Sequence, residues 1–305
     1  MKEFISGVWK SLFDENVAPV QSGPVSPVKV KLNTARRFVS SYYQSRKDMA
    51  MFDDIQSYCL FIGHARSGGT LIGALLDAHP DIILADEVDV MPYVAAGFSR
   101  EQIYSLLLDR SSVQAQRGKA KAGRDKTTYS YFVEGGWQGR YNRLRVIGNR
   151  KAGISTQRLG QNPALLDKIQ QTMGDVPVRL LLTIRNPYDT ISTMHLRSGR
   201  SLENGIEQYF DNCQTIADVR KTLEKDRLMI IKHEDFLATP GQYLIQACDF
   251  LGVEAPQDYL DNCTRLIYSS PAESRRKVEW NKDLIDIVRR KMAHFDFLKG
   301  YKFDK

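Results

Sequence analysis

A glycine-rich loop is the strongest chemical signal in the sequence. Residues 63–70 read Gly-His-Ala-Arg-Ser-Gly-Gly-Thr and lie between an apolar segment and a helical pattern. This spacing is typical of loops whose backbone N–H groups, with the following helix N-terminus, hold a phosphate. Nucleotide-triphosphate loops carry a lysine where this chain has Gly69, and Arg66 can supply the positive charge instead. The loop therefore predicts an anion site that lacks the lysine charge of ATPases. The alternative is a glycine-rich turn that only accommodates tight backbone geometry.

A second candidate anion contact follows a later apolar segment. The segment VRLLLTI runs into Arg185 and a proline turn, and the helical pattern that follows contains Ser192 and Thr193. An arginine at a strand end and a hydroxyl two helical turns later can hold a phosphate together. The alternative is an ordinary salt-bridging arginine. Arg275 and Arg276 form a further basic turn, which is either a lid over a nucleotide or a plain surface turn.

Acidic and basic side chains follow two other apolar segments. Glu87 lies in the acidic turn 86–89, and a carboxylate there can accept a proton from an attacking hydroxyl. The alternative is a solvated acidic turn. Arg150 and Lys151 follow LRVIGN, where a cation can stabilise charge that develops on a transferring group.

The elements that must position these residues alternate between strands and helices. Apolar runs of strand length occur at 58–63, 81–85, 144–149, 178–184 and 227–232. Stretches with helical spacing separate them. Because parallel strands are buried on both faces and joined by helices, the pattern predicts an α/β fold: a three-layer, P-loop-type parallel sheet with helices on both faces.

Two regions lie outside this pattern. Residues 1–57 are predicted to be an N-terminal extension that precedes a domain at 58–305. Within the extension, residues 1–20 have the spacing of a short amphipathic helix that packs on the domain or contacts a membrane. Residues 19–32 contain three prolines and few signals for regular structure. Residues 110–140, rich in Lys, Arg, Ser and Gly, predict an insertion or a mobile loop.

Three of these segments resemble the PAPS-dependent sulfotransferases, with the closest local likeness to tyrosylprotein-type enzymes. Residues 61–82 resemble the family's 5′-phosphosulfate loop, with Gly69 in place of a threonine. The segment that begins at Arg185 resembles its 3′-phosphate element, and residues 230–253 resemble its strand-Glu-Asp-proline-helix segment. The resemblance implies transfer of a sulfuryl group from 3′-phosphoadenosine-5′-phosphosulfate (PAPS) to a hydroxyl or amine. The product nucleotide is PAP, and no metal is expected.

The resemblance also implies roles for individual residues. The implied nucleotide contacts are Arg66, Ser67, Gly68, Gly69, Thr70, Arg185, either Ser192 or Thr193, and the Arg275–Arg276 turn. Glu87 occupies the place of the catalytic glutamate of tyrosylprotein sulfotransferases, and Arg150 or Lys151 is the cation at the transferring sulfonate. Ala152 stands where phenol and steroid sulfotransferases have their catalytic histidine. His64 is the next candidate base.

Composition limits the functional classes. The chain has 305 residues, 42% of them hydrophobic and 26% charged, which indicates a globular protein. The formal charge of +7 suits an anionic ligand, but the basic residues are scattered, so no nucleic-acid partner is predicted. Four separated cysteines, without a signal peptide or a long apolar run, favour a cytoplasmic protein.

The sequence leaves some alternatives open. The acceptor can be a small molecule, a carbohydrate, a lipid or a peptide, and the oligomeric state is open. The competing functions are a P-loop kinase or other nucleotide phosphotransferase, and a non-catalytic anion-binding or membrane-associated scaffold.

Overall fold

The computed structural model of the protein describes residues 27–122, 131–267 and 271–304. Within them, five strands form one sheet: β1 (Ser57–Gly63), β2 (Ile82–Asp86), β3 (Val146–Arg150), β4 (Val178–Ile184) and β5 (Leu228–Lys232). The strand order is β2-β3-β1-β4-β5, and every neighbouring pair is parallel. The predicted strands and the parallel sheet are confirmed. Because β3 and β4 lie on opposite sides of β1, the carboxyl end of β1 is the point where such sheets bind ligands.

Helices cover both faces of the sheet. They are α1 (Pro27–Phe52), α2 (Gly69–Leu76), α3 (Met91–Ala95), α4 (Arg100–Ala122), α5 (Ala152–Gln161), α6 (Ala164–Met173), α7 (Pro187–Ser198), α8 (Leu202–Thr222), α9 (His233–Ala238), α10 (Pro240–Leu251), α11 (Gln257–Thr264) and α12 (Lys282–Met292). Short 3₁₀ turns lie at Lys225–Arg227, Ser274–Lys277 and Asp296–Leu298.

The central strand shows how the two faces are filled. All seven residues of β1 are buried. Leu60 and Ile62 point to one face, into a core that includes side chains of α4, α6, α8 and α12. Cys59 and Phe61 point to the other face, into a core that includes α2, α10 and α11. A strand that is apolar at every position therefore requires helices on both sides, as the period-2 alternation of side chains dictates.

The structure extends further towards the N-terminus than predicted. Residues 27–52, placed in the extension, form α1, which packs on α4. Gln102 Nε2 donates to the Phe38 carbonyl at 3.0 Å, and the Phe52 ring meets Tyr104 edge-on. The prediction of little regular structure up to residue 32 is wrong from Pro27 onwards, because proline at the first helical position favours a helix start. The helix predicted within residues 1–20 lies outside the described residues.

Part of the region at 110–140, predicted to be an insertion or a mobile loop, is helical. Helix α4 continues to Ala122, since lysine, arginine, glutamine and alanine are good helix formers. The buried carboxylate of Asp77, at the end of α2, accepts hydrogen bonds from the hydroxyl of Ser111 (3.1 Å), the backbone of Gly139 (3.2 Å) and the backbone of Leu84 (2.7 Å). Burial raises the pKa of Asp77 to about 7. This carboxyl ties α4 and the segment after it to the sheet.

Candidate active site

The described structure brings one candidate side chain or loop to the carboxyl end of each strand. They are the glycine-rich loop after β1, Glu87 after β2, Lys151 after β3, Arg185 after β4 and His233 after β5. Carboxyl ends of parallel strands meet at one edge of a sheet, so residues far apart in sequence share one site. Four of the five positions were predicted from the sequence, and His233 was not.

The loop after β1 depends on glycine at two consecutive positions. Gly68 caps α2 with φ of 92°, a left-handed conformation, and a Cβ there would lie 2.3 Å from Nδ1 of His233. A Cβ at Gly69 would lie 3.2 Å from Thr183 Oγ1. A larger side chain at position 69 would press on β4, which is a physical reason for glycine where the family has threonine. The N-terminus of α2 is thus left open to an anion.

The other loop residues differ in where their side chains point. Ser67 is buried, donates to the His64 carbonyl (2.8 Å) and lies 2.8 Å from Thr183 Oγ1, so its hydroxyl shapes the loop. Thr70 and Arg66 are exposed, and Arg66 has a positive φ of 70°. The loop thus presents a hydroxyl and a guanidinium outwards, as the sequence predicts for an anion site.

Arg150 connects the loop to the acidic turn. Its side chain crosses α2 at Gly73, where a Cβ would lie 2.5 Å from Cδ of the arginine. Nη1 donates to Thr70 Oγ1 at 3.0 Å, and Nη2 forms an ion pair with Asp86 and lies 3.5 Å from Glu87 Oε1. Burial, together with the nearby charge of Arg66, lowers the pKa of Arg150 to about 10. The guanidinium is therefore still charged at pH 7.

Glu87 differs from its acidic neighbours. Its φ is 54°, which is rare for a residue with a Cβ, and its backbone N–H donates to the Arg150 carbonyl at 3.1 Å. The carboxylate is 58% exposed and lies 4.0 Å from Lys151 Nζ. Asp86 is held by Arg150, and Asp89 pairs with Arg158 at 2.6 Å. Glu87 is therefore the carboxylate of this turn that faces solvent beside two cations.

The turn after β4 distinguishes the two candidate hydroxyls. Arg185 is 7% exposed, and its guanidinium donates to the Arg66 carbonyl (3.4 Å) and to Ser274 Oγ (3.5 Å). Thr193 Oγ1 lies 2.9 Å from Ser274 Oγ, whereas Ser192 is fully buried and accepts a hydrogen bond from an indole N–H. Arg185, Thr193 and Ser274 therefore form one cluster. Ser274 was missed, and its only signal is its place before two arginines.

The two arginines of the C-terminal turn have different surroundings. Arg275 is 4% exposed, its Nη1 pairs with Asp189 Oδ2 at 2.5 Å, and its Nε donates to the Phe303 carbonyl at 2.7 Å. This arrangement disfavours the predicted place of Arg275 over a nucleotide, because its guanidinium is turned inwards to the first turn of α7. Arg276 is two-thirds exposed and pairs with Glu273. Arg276 alone is placed for a ligand.

Two histidines, His64 within the loop and His233 beside it, differ in the chemistry that they offer. His64 is buried, stacks on Tyr209 with ring centroids 3.7 Å apart, and burial lowers its pKa to about 3. It is therefore a poor alternative base. His233 has a buried Nδ1 without a hydrogen-bond partner in the described part of the chain, beside Gly68. Burial, and then the charge of Arg185, lowers its pKa to about 4, so the ring is neutral at pH 7.

The described residues were compared with the requirements of a metal site, a membrane span and a disulfide. Among the described residues there is no group of three or more His, Cys, Asp or Glu side chains that could hold a metal ion. None of the described helices is both long and apolar enough to pass through a bilayer. All four cysteines are buried as free thiols.

The fold is α/β with a glycine-rich loop at the carboxyl edge of its sheet, and comparison with known proteins gives the family. The model described as "Sulfotransferase family" matches residues 60–257, so the chain belongs to the sulfotransferase family. The predicted class is confirmed, and the kinase and scaffold alternatives gain no support. No curated protein gives a significant match.

Solved structures share the fold at low sequence identity. The sulfotransferase domain of the Synechococcus PCC 7002 olefin synthase is 17% identical, with 80% of this chain and 96% of that chain covered at a TM-score of 0.50. The sulfotransferase domain from the curacin biosynthetic pathway is 15% identical, with coverages of 79% and 97% and a TM-score of 0.49.

Replacing Gly68 by alanine is expected to weaken PAP binding by about tenfold, because the new Cβ would displace His233 and deform the anion loop. Gly97→Ala is the matched control. Gly97 also has a positive φ of 80°, but nothing lies within 4 Å of its added Cβ. We expect Gly97→Ala to cost about 1–2 kcal/mol of stability without changing PAP affinity. Equal PAP affinity in both variants, measured by calorimetry, would show that the loop does not bind the nucleotide.

Proposed function

We propose that the protein transfers a sulfuryl group from PAPS to an acceptor hydroxyl or amine. The observation that carries the proposal is the position of Arg150, whose guanidinium contacts Thr70 of the anion loop and lies 3.5 Å from the Glu87 carboxylate. One buried cation thus links the loop that would hold the phosphosulfate to the residue that would take the acceptor's proton. Membership of the sulfotransferase family supports the same reaction.

The residues present fit the PAPS nucleotide. The 5′ side would be held by backbone N–H groups of residues 66–70, where added Cβ atoms would fill the space at the glycines. Arg185, Thr193 and Ser274 are proposed to hold the 3′-phosphate, since a guanidinium and two hydroxyls converge there. The unpartnered Nδ1 of His233 offers a further hydrogen bond beside Gly68.

The proposed reaction is an in-line displacement at sulfur. The bond between sulfur and the bridging oxygen of the phosphosulfate breaks, a bond between sulfur and the acceptor atom forms, and PAP leaves. Glu87 accepts the proton of the acceptor. Arg150 stabilises the charge that develops on the sulfonate and the leaving oxygen, because it already touches the loop. Lys151, whose Nζ lies 4.0 Å from the Glu87 carboxylate, would hold that carboxylate in position.

The test of the proposal is the formation of PAP from PAPS. Purified protein is incubated with PAPS and a panel of acceptors that includes phenols, sugars, hydroxylated lipids and tyrosine peptides, and PAP is measured by chromatography. We expect PAP and a sulfated product to appear in equal amounts with at least one acceptor class. Transfer of phosphate from ATP to an acceptor, without any PAP formed from PAPS, would contradict the proposal.

We also place the protein in the cytoplasm. Its four cysteines are buried as free thiols, a state that reducing compartments maintain. Burial raises the pKa of Cys248 and Cys263 to about 12, so these thiols are protonated and unreactive at neutral pH.

A further inference from the structure

A polar groove lies between α5 and α8, outside the residues assigned so far. Its volume is about 600 Å³, within the range of small-ligand sites. Five amide side chains line it: Gln157, Gln161, Asn204, Gln208 and Asn212. In the described part of the chain no aromatic or aliphatic side chain contributes to its lining. Nearly every side chain that lines the groove therefore carries a group that can form hydrogen bonds.

The two helices that line the groove also contact the anion loop. Gly63, the last residue of β1, donates its N–H to Thr156 Oγ1 at 2.8 Å, and Gln157 of the groove is the next residue of α5. On the other wall, Tyr209 of α8 stacks on His64 of the loop and directly follows Gln208. Helices α5 and α8 are thus both fixed to the anion loop.

The groove also reaches the level of the reacting groups. Helix α5 starts at the carboxyl edge of the sheet, and α8 ends shortly before β5 begins at the opposite edge, so both run in the same direction. Gly160 of α5 meets Thr215 of α8. A helix rises about 1.5 Å per residue. Lys151 therefore lies about 14 Å before Gly160 along α5, and Asn204 lies about 16 Å before Thr215 along α8. The upper end of the groove is therefore level with Lys151.

The lining restricts the chemistry of a ligand. Amide side chains both donate and accept hydrogen bonds, as sugar hydroxyls do. Gln208 Oε1 accepts a hydrogen bond from Arg200, which leaves its NH₂ group to donate to a hydroxyl. The groove is lined by one positive side chain, Arg200, and two negative side chains, Glu207 and Asp211, so the net charge of its lining is −1. This charge disfavours anionic saccharides, and among the described residues the lining gives an apolar phenol or lipid no aromatic or aliphatic side chain to pack against.

We propose that this groove binds the acceptor and that the acceptor is a neutral sugar or an amino sugar. The inference rests on the proposed sulfuryl transfer, since it names the substrate class of that same site. A hydroxyl or amine of the bound sugar would face Glu87, and the rest of the ring would lie along the amides.

The experiment compares defined probes. Lactose, glucosamine and chitobiose are tested against 1-naphthol and glucuronic acid, with sulfate transfer from PAPS measured for each. Binding of each probe to the PAP-saturated protein is followed independently by saturation-transfer NMR. We expect lactose, glucosamine or chitobiose to bind and be sulfated, with 1-naphthol and glucuronic acid at least tenfold poorer in kcat/KM.

Two variants locate the binding. Gln157→Leu and Gln208→Leu keep side-chain size but remove hydrogen bonds, so each should raise KM for the sugar by about three- to tenfold with kcat within about twofold. Gln214→Leu is the matched control, because Gln214 is exposed on α8, outside the groove, and donates only to Asp218. We expect this control to have the KM of the unchanged protein.

The outcomes separate this inference from the proposed function. If 1-naphthol is the better acceptor, if no sugar of the panel binds, or if the groove variants behave like Gln214→Leu, the inference is overturned while sulfuryl transfer stands. If PAP neither binds nor forms, the proposed function fails, and loss of the sugar's NMR signal in Gln208→Leu would still support a sugar site.

Discussion

Substitution of Glu87 by glutamine is expected to lower turnover by about 10²- to 10⁴-fold. Glutamine keeps the length of the side chain and its hydrogen-bonding reach but cannot accept the acceptor's proton. PAP affinity should change by less than about twofold, because the proposed phosphate contacts come from the anion loop and the turn after β4. Turnover is measured as PAP released from PAPS at a saturating concentration of acceptor, and PAP affinity by calorimetry.

The structure determines which acidic control is informative. Asp86→Asn is unsuitable, since Asp86 holds Arg150. Glu224→Gln is the matched control, because Glu224 is exposed and precedes β5 at the opposite edge of the sheet. We expect normal turnover from Glu224→Gln. Near-normal turnover in Glu87→Gln would place the base elsewhere, and loss of PAP binding in Glu87→Gln would give Glu87 a structural role in place of a catalytic one.

The second large effect is expected at Arg185. Arg185→Ala should weaken PAP binding by about 1.5–3 kcal/mol, or roughly 10- to 150-fold, because it removes a charge-assisted contact to the 3′-phosphate. AMP lacks that phosphate, so its affinity should change far less. The preference for PAP over AMP, measured by titration calorimetry, should therefore collapse in the variant.

An arginine within β4 supplies the control for Arg185, which follows that strand. Arg179 lies near the start of β4 and bonds the Phe250 carbonyl, far from the carboxyl edge where Arg185 lies. Arg179→Ala should leave the preference for PAP over AMP intact. Arg185→Lys keeps the charge but loses the planar guanidinium. Its preference for PAP over AMP should lie between those of Arg185→Ala and Arg179→Ala. An unchanged preference in Arg185→Ala would mean that the 3′-phosphate binds elsewhere.

The sheet could be predicted from the sequence because its signal is local. A strand buried on both faces needs an apolar run, and the bounds of the five predicted runs lie within two residues of the observed strands. Two of the predicted strands are followed directly by residues of the anion loop and by Arg185, so those parts of the site were predicted as well. The match to the sulfotransferase family confirms the class that these motifs indicated.

The parts of the site that could not be predicted from the sequence depend on where side chains point. Ser192 and Thr193 are neighbours, and only the packing of α7 shows that the first accepts a bond from Trp280 and the second reaches the cluster with Ser274. Arg275 was assigned to the nucleotide because a basic turn carries no sign of its buried partner, Asp189. His233 was missed because its proximity to Gly68 exists only after β5 pairs with β4.

The most direct test of sulfuryl transfer is the thermal stability of the protein with two nucleotides. At about 100 times its dissociation constant, a ligand that binds only the folded state adds about 2.7 kcal/mol. We expect PAP to raise the melting temperature by about 5 °C, since it is proposed to contact both the anion loop and Arg185. ATP with magnesium should raise it far less, because Gly69 replaces the lysine of triphosphate loops and ATP lacks a 3′-phosphate. Equal or greater stabilisation by ATP with magnesium would contradict the account.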